Sequence, residues 1–303
     1  MSHRARVWVA LWTVYILWGS TYLGIELAVE TIPPLFAAAA RFLAAALLML
    51  AFTGWRRGRH ALHVAPRELA SCVLIGTLLL GANGLLFISE RHVAIGVASL
   101  IIGSVPLWVV LLRTLTGDRP PLASLAGVFV GFGGLALLVR PSGSAPLWSL
   151  LLVLGSASLW ATGSFLASRL PMPRDIFAAT SYEMAAGGVV LLSIALATTH
   201  PHFSQFSGRS IGGWLYLVSF GSVVGYTAYV WLLDNAPISK VATYAYVNPV
   251  VAITLGVIVL HESLTWTIVL GAVLVLACVA VVVRRESIPP DAEAVGAGAA
   301  EVR

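Results

Sequence analysis

The chain has 303 residues, of which 59% are hydrophobic and only 10% charged, with a mean hydropathy of +0.92. Soluble domains carry about 25% charged residues, so this composition excludes a water-soluble globule and implies a polytopic membrane protein. The net charge of +5 does not point to nucleic acid either, because the arginines sit in short loops between apolar runs and not along one surface.

A transmembrane helix needs about 20 mostly apolar residues. Ten such runs follow in chain order: 7–26, 34–53, 68–89, 94–114, 121–140, 147–168, 175–197, 211–233, 239–260 and 265–283. Residues 1–6 form a short basic start, and 285–303, rich in small and polar residues, read as a disordered tail. The first run belongs to a repeat described below, so it is not read as a removed signal peptide. Cys72 and Cys278 both lie inside apolar runs, so no disulfide framework, metal site or cofactor follows. Orientation comes from Lys and Arg in the short loops. One side gathers Arg4, Arg6, Arg56, Arg57, Arg59, Arg67, Arg113, Arg119, Arg169, Arg174, Lys240, Arg284, Arg285 and Arg303; the other has Arg91, Arg140 and Arg209. Both termini are expected in the cytoplasm.

The two halves repeat. Leu17-Trp18-Gly19-Ser20 matches Leu159-Trp160-Ala161-Thr162 at an offset of 142, which also relates Arg41 to Glu183. Pro106 matches Pro249 at 143, and Gly127 matches Gly271 at 144. These anchors define five-helix units over 7–141 and 147–284. Because five is odd, the second unit enters the membrane with opposite polarity. The expected fold is therefore all-α, with ten transmembrane helices as two inverted five-helix repeats. Interrupted hydrophobic segments at matching places in two halves point to a transporter's binding site near the midplane. Ser104 and Pro106 interrupt the fourth span, and Asn248-Pro249 the ninth.

The stretch LWGSTYLGIELAVETIPPLFAAAARFLAAALLML, the segment YAYVNPVVA and the Leu-His-Glu-Ser turn at 260–263 resemble the EamA family of the drug/metabolite transporter superfamily. The resemblance covers roughly residues 8 to 284. It implies a ten-helix bacterial inner-membrane exporter of amino acids, related metabolites or amphipathic compounds, working by alternating access.

The candidate cavity residues are Trp18, Tyr22, Asn83, Ser104, Pro106, Trp160, Tyr226, Tyr244, Asn248 and Pro249. The Asn248 carboxamide offers both donor and acceptor; it either faces substrate or satisfies backbone that Pro249 frees, and Ser104 carries the same two readings. The aromatic residues, with Tyr229 and Tyr246, either line a cavity suited to amphipathic or ammonium groups or sit at the lipid interface. Tyr244 shares a helix face with Asn248 at i, i+4. Asn83 is expected to hydrogen-bond across helices or to line the pathway. Gly127, Gly131 and Gly134 mark tight packing within the chain or a dimer face, leaving monomer and homodimer open.

Arg41 and Glu183 are ionisable residues well inside spans, and such groups are functional suspects. They are assigned to gating or coupling, or to structural ion pairs or snorkelling, with Glu26 or Glu30 expected beside Arg41 and Arg169 or Arg174 beside Glu183. No nucleophile–base cluster, phosphate loop or metal motif suggests an enzyme. The partners expected are a small-molecule substrate and the lipid bilayer. An importer or exchanger is the alternative carrier, and a membrane assembly or sensor protein the alternative of another class.

Overall fold

The computed structural model describes residues 1–118, 120–138, 145–236, 238–241 and 243–286. Within these, the chain forms helices α1 (His3–Val29), α2 (Pro34–Arg57), α3 (Pro66–Ser89), α4 (Ile95–Gly103), α5 (Val105–Leu115), α6 (Leu122–Leu138) and α7 (Leu147–Ala167) in the first part. There follow α8 (Ile176–Thr198), α9 (Gly208–Tyr216), α10 (Gly225–Asn235), α11 (Ile238–Val241), α12 (Tyr244–Val259) and α13 (Trp266–Glu286). Residues 287–303, most of the expected tail, lie outside the described residues, as do Arg119 and Arg140.

Local chemistry sets the helix ends. Ser2 accepts from the Ala5 N–H, Asp175 from the Phe177 and Ala178 N–H groups, and Ser207 from the Ser210 N–H, each closing a helix start. Pro33-Pro34 ends the first span and opens α2, and Gly58 follows α2 at φ 82°, a left-handed turn suited to glycine.

Among the described residues, eight helical segments are long and apolar enough to cross a bilayer. Two apolar helices are shorter, Ser124–Leu138 and Tyr244–Val259. Many large apolar side chains face outward, among them Leu47, Phe129, Ile258, Val273 and Trp266. In water so much exposed apolar surface would drive aggregation; in a bilayer it faces lipid.

Three spans depart from straight α-helix. The fourth breaks at Ser104 between α4 and α5, with Pro106 in the first turn of α5. The segment expected as the eighth span joins α9 to α10 through a π-helical stretch, Leu217–Val224, which the sequence did not announce. In the run expected as the ninth span the proline does not break the helix: α12 runs unbroken through Pro249. The carbonyl of Ala245, which Pro249 leaves without its helical donor, lies against Gly103. A Cβ on Gly103 would sit 3.3 Å from that oxygen and 3.2 Å from the proline ring.

Small residues let the helices close up. A Cβ on Gly76 of α3 would fall 2.2 Å from the Glu183 carbonyl of α8, and one on Gly187 would fall 2.4 Å from the Gly76 carbonyl. Gly127, Gly131 and Gly134 of α6 all pack on α13, so these small residues serve contacts inside the chain. At one end of the bundle Asp118 pairs with Arg113 at the end of α5 (3.2 Å) and with Arg169 just past α7 (2.9 Å).

Two outcomes follow. Gly76→Ala overpacks a backbone crossing and should cost about 1–3 kcal/mol, whereas Gly81→Ala, where an added Cβ meets nothing within 4 Å, should leave thermal stability in detergent unchanged. Arg113 and then Arg169 hold the Asp118 carboxyl below the usual carboxylate range. Its stabilisation is thus present above the ordinary carboxylate pKa and lost as pH falls through the depressed one. The gap in melting temperature between the protein and Asp118→Asn should be small near neutrality, close in acid, and shrink with added salt.

Candidate functional site

Three helices bring the candidate rings together. Trp18 of α1 packs on Tyr229 of α10 with centroids 5.0 Å apart, and edge-on to Tyr244 of α12 at 5.2 Å. Tyr229 and Tyr244 meet edge-on at 5.8 Å, and Tyr226 follows 6.0 Å from Tyr229. All four rings stay only partly buried. Two polar contacts brace the group: the Tyr15 and Thr243 hydroxyls bond to each other, and Thr180 of α8 donates to the Tyr226 hydroxyl.

Asn248 lies one helical turn from Tyr244. With its amide nitrogen turned to the two neighbouring carbonyls, it donates to Tyr15 (3.2 Å) and Tyr244 (3.3 Å). Its donors therefore tie α12 to α1. Gly19, next to Trp18, makes the approach tight; a Cβ there would lie 2.6 Å from Cβ of Val251.

The π-helical stretch feeds the same region. A π-turn widens the helix and leaves carbonyl groups off the usual ladder. Here the Gly221 carbonyl accepts from Trp18 Nε1 at 3.2 Å, and Ser222 Oγ accepts from Arg41 Nε at 3.0 Å. Arg41 is buried at 6% exposure, with its guanidinium 4.9 Å from the centre of the Phe42 ring. The ion pairs expected from the sequence do not form. Among the described residues neither Arg41 nor Glu183 has an acid–base partner within 4 Å; Glu30 pairs instead with Arg209 (3.3 Å), and Arg169 with Asp118. Arg41 lies beside the π-stretch, and this places its acceptor on a neighbouring helix.

Other candidates stand apart from the ring group. The Asn83 amide donates to the Leu79 carbonyl one turn back in its own helix (3.2 Å), not across to another. Ser104 is fully buried and donates to Ile101. Trp160 is partly buried on α7, and Tyr22 is buried near the far end of α1. Pro106 opens α5, one turn from the Gly103–Pro249 contact. Glu183 is buried at 9% exposure on α8.

The EamA-like transporter family matches this chain twice, over residues 7–140 and 147–284. The chain belongs to the EamA-like transporter family. It is 36% identical to the uncharacterized inner membrane transporter YedA of Escherichia coli K12 over 256 residues, covering 82% of this chain and 80% of that one. An uncharacterized transporter of Archaeoglobus fulgidus is 26% identical, with 91% and 96% covered, and a chloroplastic WAT1-related protein of Arabidopsis thaliana is 26% identical, with 90% and 68% covered. A solved crystal structure superposes with a TM-score of 0.62 at 20% identity, covering 92% of this chain and 96% of its own, which shows a shared fold.

An EamA-like protein is a transporter and not an enzyme, so side chains here need to recognise and release, not to break bonds. Residues that sequence reasoning passed over are Gly221 and Ser222, whose Gly-Ser pair in mid-span was the signal for a helix irregularity, together with Tyr15 and Thr243. Removing the acceptor of a buried guanidinium costs about 1.5–3 kcal/mol. Ser222→Ala should therefore lower the melting temperature of this EamA-like transporter, whereas Ser193→Ala, whose hydroxyl bonds only its own helix at an exposed position, should not. Equal melting of the two variants would show that Arg41 draws its stability from elsewhere.

Proposed function

We propose that this chain is a secondary transporter that exports amino acids, related metabolites or amphipathic small molecules across the inner membrane by alternating access, with both termini cytoplasmic. The observation that carries the reading is the group of four partly buried rings, on α1, α10 and α12, set beside the Asn248 carboxamide and the proline-freed backbone. Aromatic faces accept apolar bodies and hold an ammonium by about 0.5–2 kcal/mol, and the carboxamide oxygen accepts from an amino group.

The packing pattern supports two inverted repeats. Exchange of the halves turns the contact of α1 with α9 and α10 into that of α7 with α3, and the contact of α1 with α12 into that of α7 with α4 and α5. The α2–α8, α6–α13 and α4–α12 contacts map onto themselves. Such symmetry gives alternating access a physical basis: each repeat can adopt the other's arrangement, so closing one end opens the other. The ring group and the Gly103–Pro249 contact lie where the two repeats meet.

Inside-out vesicles containing the protein should accumulate one radiolabelled compound from a panel of amino acids and amphipathic cations, with saturation. Asn248→Ala should abolish that accumulation while leaving the amount of inserted, folded protein unchanged, and undiminished transport by the variant would sink the assigned role.

A further inference from the structure

Where α1, α3 and the α12–α13 loop converge, a set of charges remains that the ring site does not use. Glu90 caps α3 at 2% exposure, and neither of its carboxyl oxygens has a hydrogen-bond partner among the described residues. Oε2 of Glu26, on α1, is buried and unpartnered as well. The neighbouring Arg91 does not relieve Glu90: its Nε donates to the Val29 carbonyl at 2.9 Å and ties the end of α3 to the end of α1. His92 is turned to the Trp148 ring, 4.9 Å away.

The charges that act on Glu90 are Glu26 from α1, Arg41 from α2 and Glu262 from the loop, with the Tyr22 hydroxyl also within its field. Glu30 and Arg91 act on it at one remove, through Glu26. Arg41 directs its Nε to Ser222 and forms no ion pair with either acid. Glu262 differs from the other two carboxyls. Its oxygens accept from the Ile95 and Gly96 N–H groups (2.7 and 3.2 Å) at the start of α4, where the helix dipole favours negative charge. That contact fastens the loop onto α4.

A buried carboxyl without a donor, facing two further carboxyls and one guanidinium, is too costly to keep charged and takes a proton. No group of three or more His, Cys, Asp or Glu among the described residues is placed to hold a metal ion. We propose that Glu90, together with Glu26, forms a proton-binding site at the closed outer end of the bundle, and that opening this end releases the proton to the outer solution. One O–H bond breaks; the proton passes from the Glu90 carboxyl to water as the carboxylate is hydrated. The proposal rests on the alternating-access reading for the side to which the proton leaves, whereas proton binding itself is measured without any substrate. By linkage, acid outside favours the closed end and alkali the open one. Because the folded protein holds this proton more tightly than an unfolded Glu, its contribution to stability is full in acid and is lost as pH rises above the ordinary carboxylate range.

The test is infrared difference spectroscopy on purified full-length protein between mildly acidic and mildly alkaline solution, with melting temperatures over the same range. The protonated-carboxyl signal should titrate in the unaltered protein and lose its Glu90 component in Glu90→Gln, which keeps the neutral shape and should lose the matching part of the pH dependence of melting. Glu26→Gln removes a like charge and should lower the proton affinity of Glu90 about tenfold. This second variant decides the matter if Glu90→Gln does not fold. A carboxyl signal undiminished in Glu90→Gln, a Glu90 titration unmoved in Glu26→Gln, or a response to Na⁺ in place of pH overturns the proposal. Loss of vesicle transport with the titration intact counts against the exporter reading alone.

Discussion

Hydrocarbon offers a peptide group no hydrogen bond, so every departure from straight α-helix must be answered by another helix or by a polar cavity. That constraint organises this molecule. Its departures are the break at Ser104, the π-stretch Leu217–Val224 and Pro249 within α12. Each is met by a neighbour. Trp18 donates to the Gly221 carbonyl, Gly103 makes room for the Ala245 carbonyl and the proline ring, and Asn248 fastens Tyr244 to Tyr15.

The same residues therefore brace the bundle and shape its candidate site. Trp18 is both a donor to the π-stretch and one wall of the ring group, so a movement of α10 that lengthened this bond would also reshape the wall. The two ends are secured differently. Asp118 joins Arg113 and Arg169 at one, and Glu262 grips the start of α4 at the other, with Glu90 and Glu26 buried nearby. A side-chain ion pair is screened by salt, whereas a carboxylate on two backbone N–H groups is a directional bond; the two ends should respond to different conditions.

Much of this was legible in the sequence because bilayer thickness fixes helix length and the apolar runs are long. Two of the repeat anchors fall at helix contacts, Pro249 against Gly103 and Trp18 against Tyr244. Side-chain partners were not legible. Arg41 turned to Ser222 because a π-stretch placed that hydroxyl beside it, and no spacing rule announces a π-stretch beyond a mid-span Gly-Ser. Asn83 bonded back to its own helix, an option any mid-helix carboxamide keeps. Pro249 left α12 continuous because it falls in the helix's second turn, where little of the ladder precedes it. In the sequence Glu90 is only an acidic residue at the end of an apolar run; the packing of α1 and the loop around it shows that it is buried.

The central claim is that the space beside Trp18, Tyr229 and Tyr244 opens to one side of the membrane at a time. Cysteine placed at Tyr229, where the native Cys72 and Cys278 are buried, reports on it directly. Membrane-impermeant thiol reagents would be applied to right-side-out and to inside-out vesicles. The account predicts labelling from both sides in separate experiments, with conditions that raise labelling from one side lowering it from the other. Labelling from neither side would mean that the rings are a sealed structural core, and would contradict it.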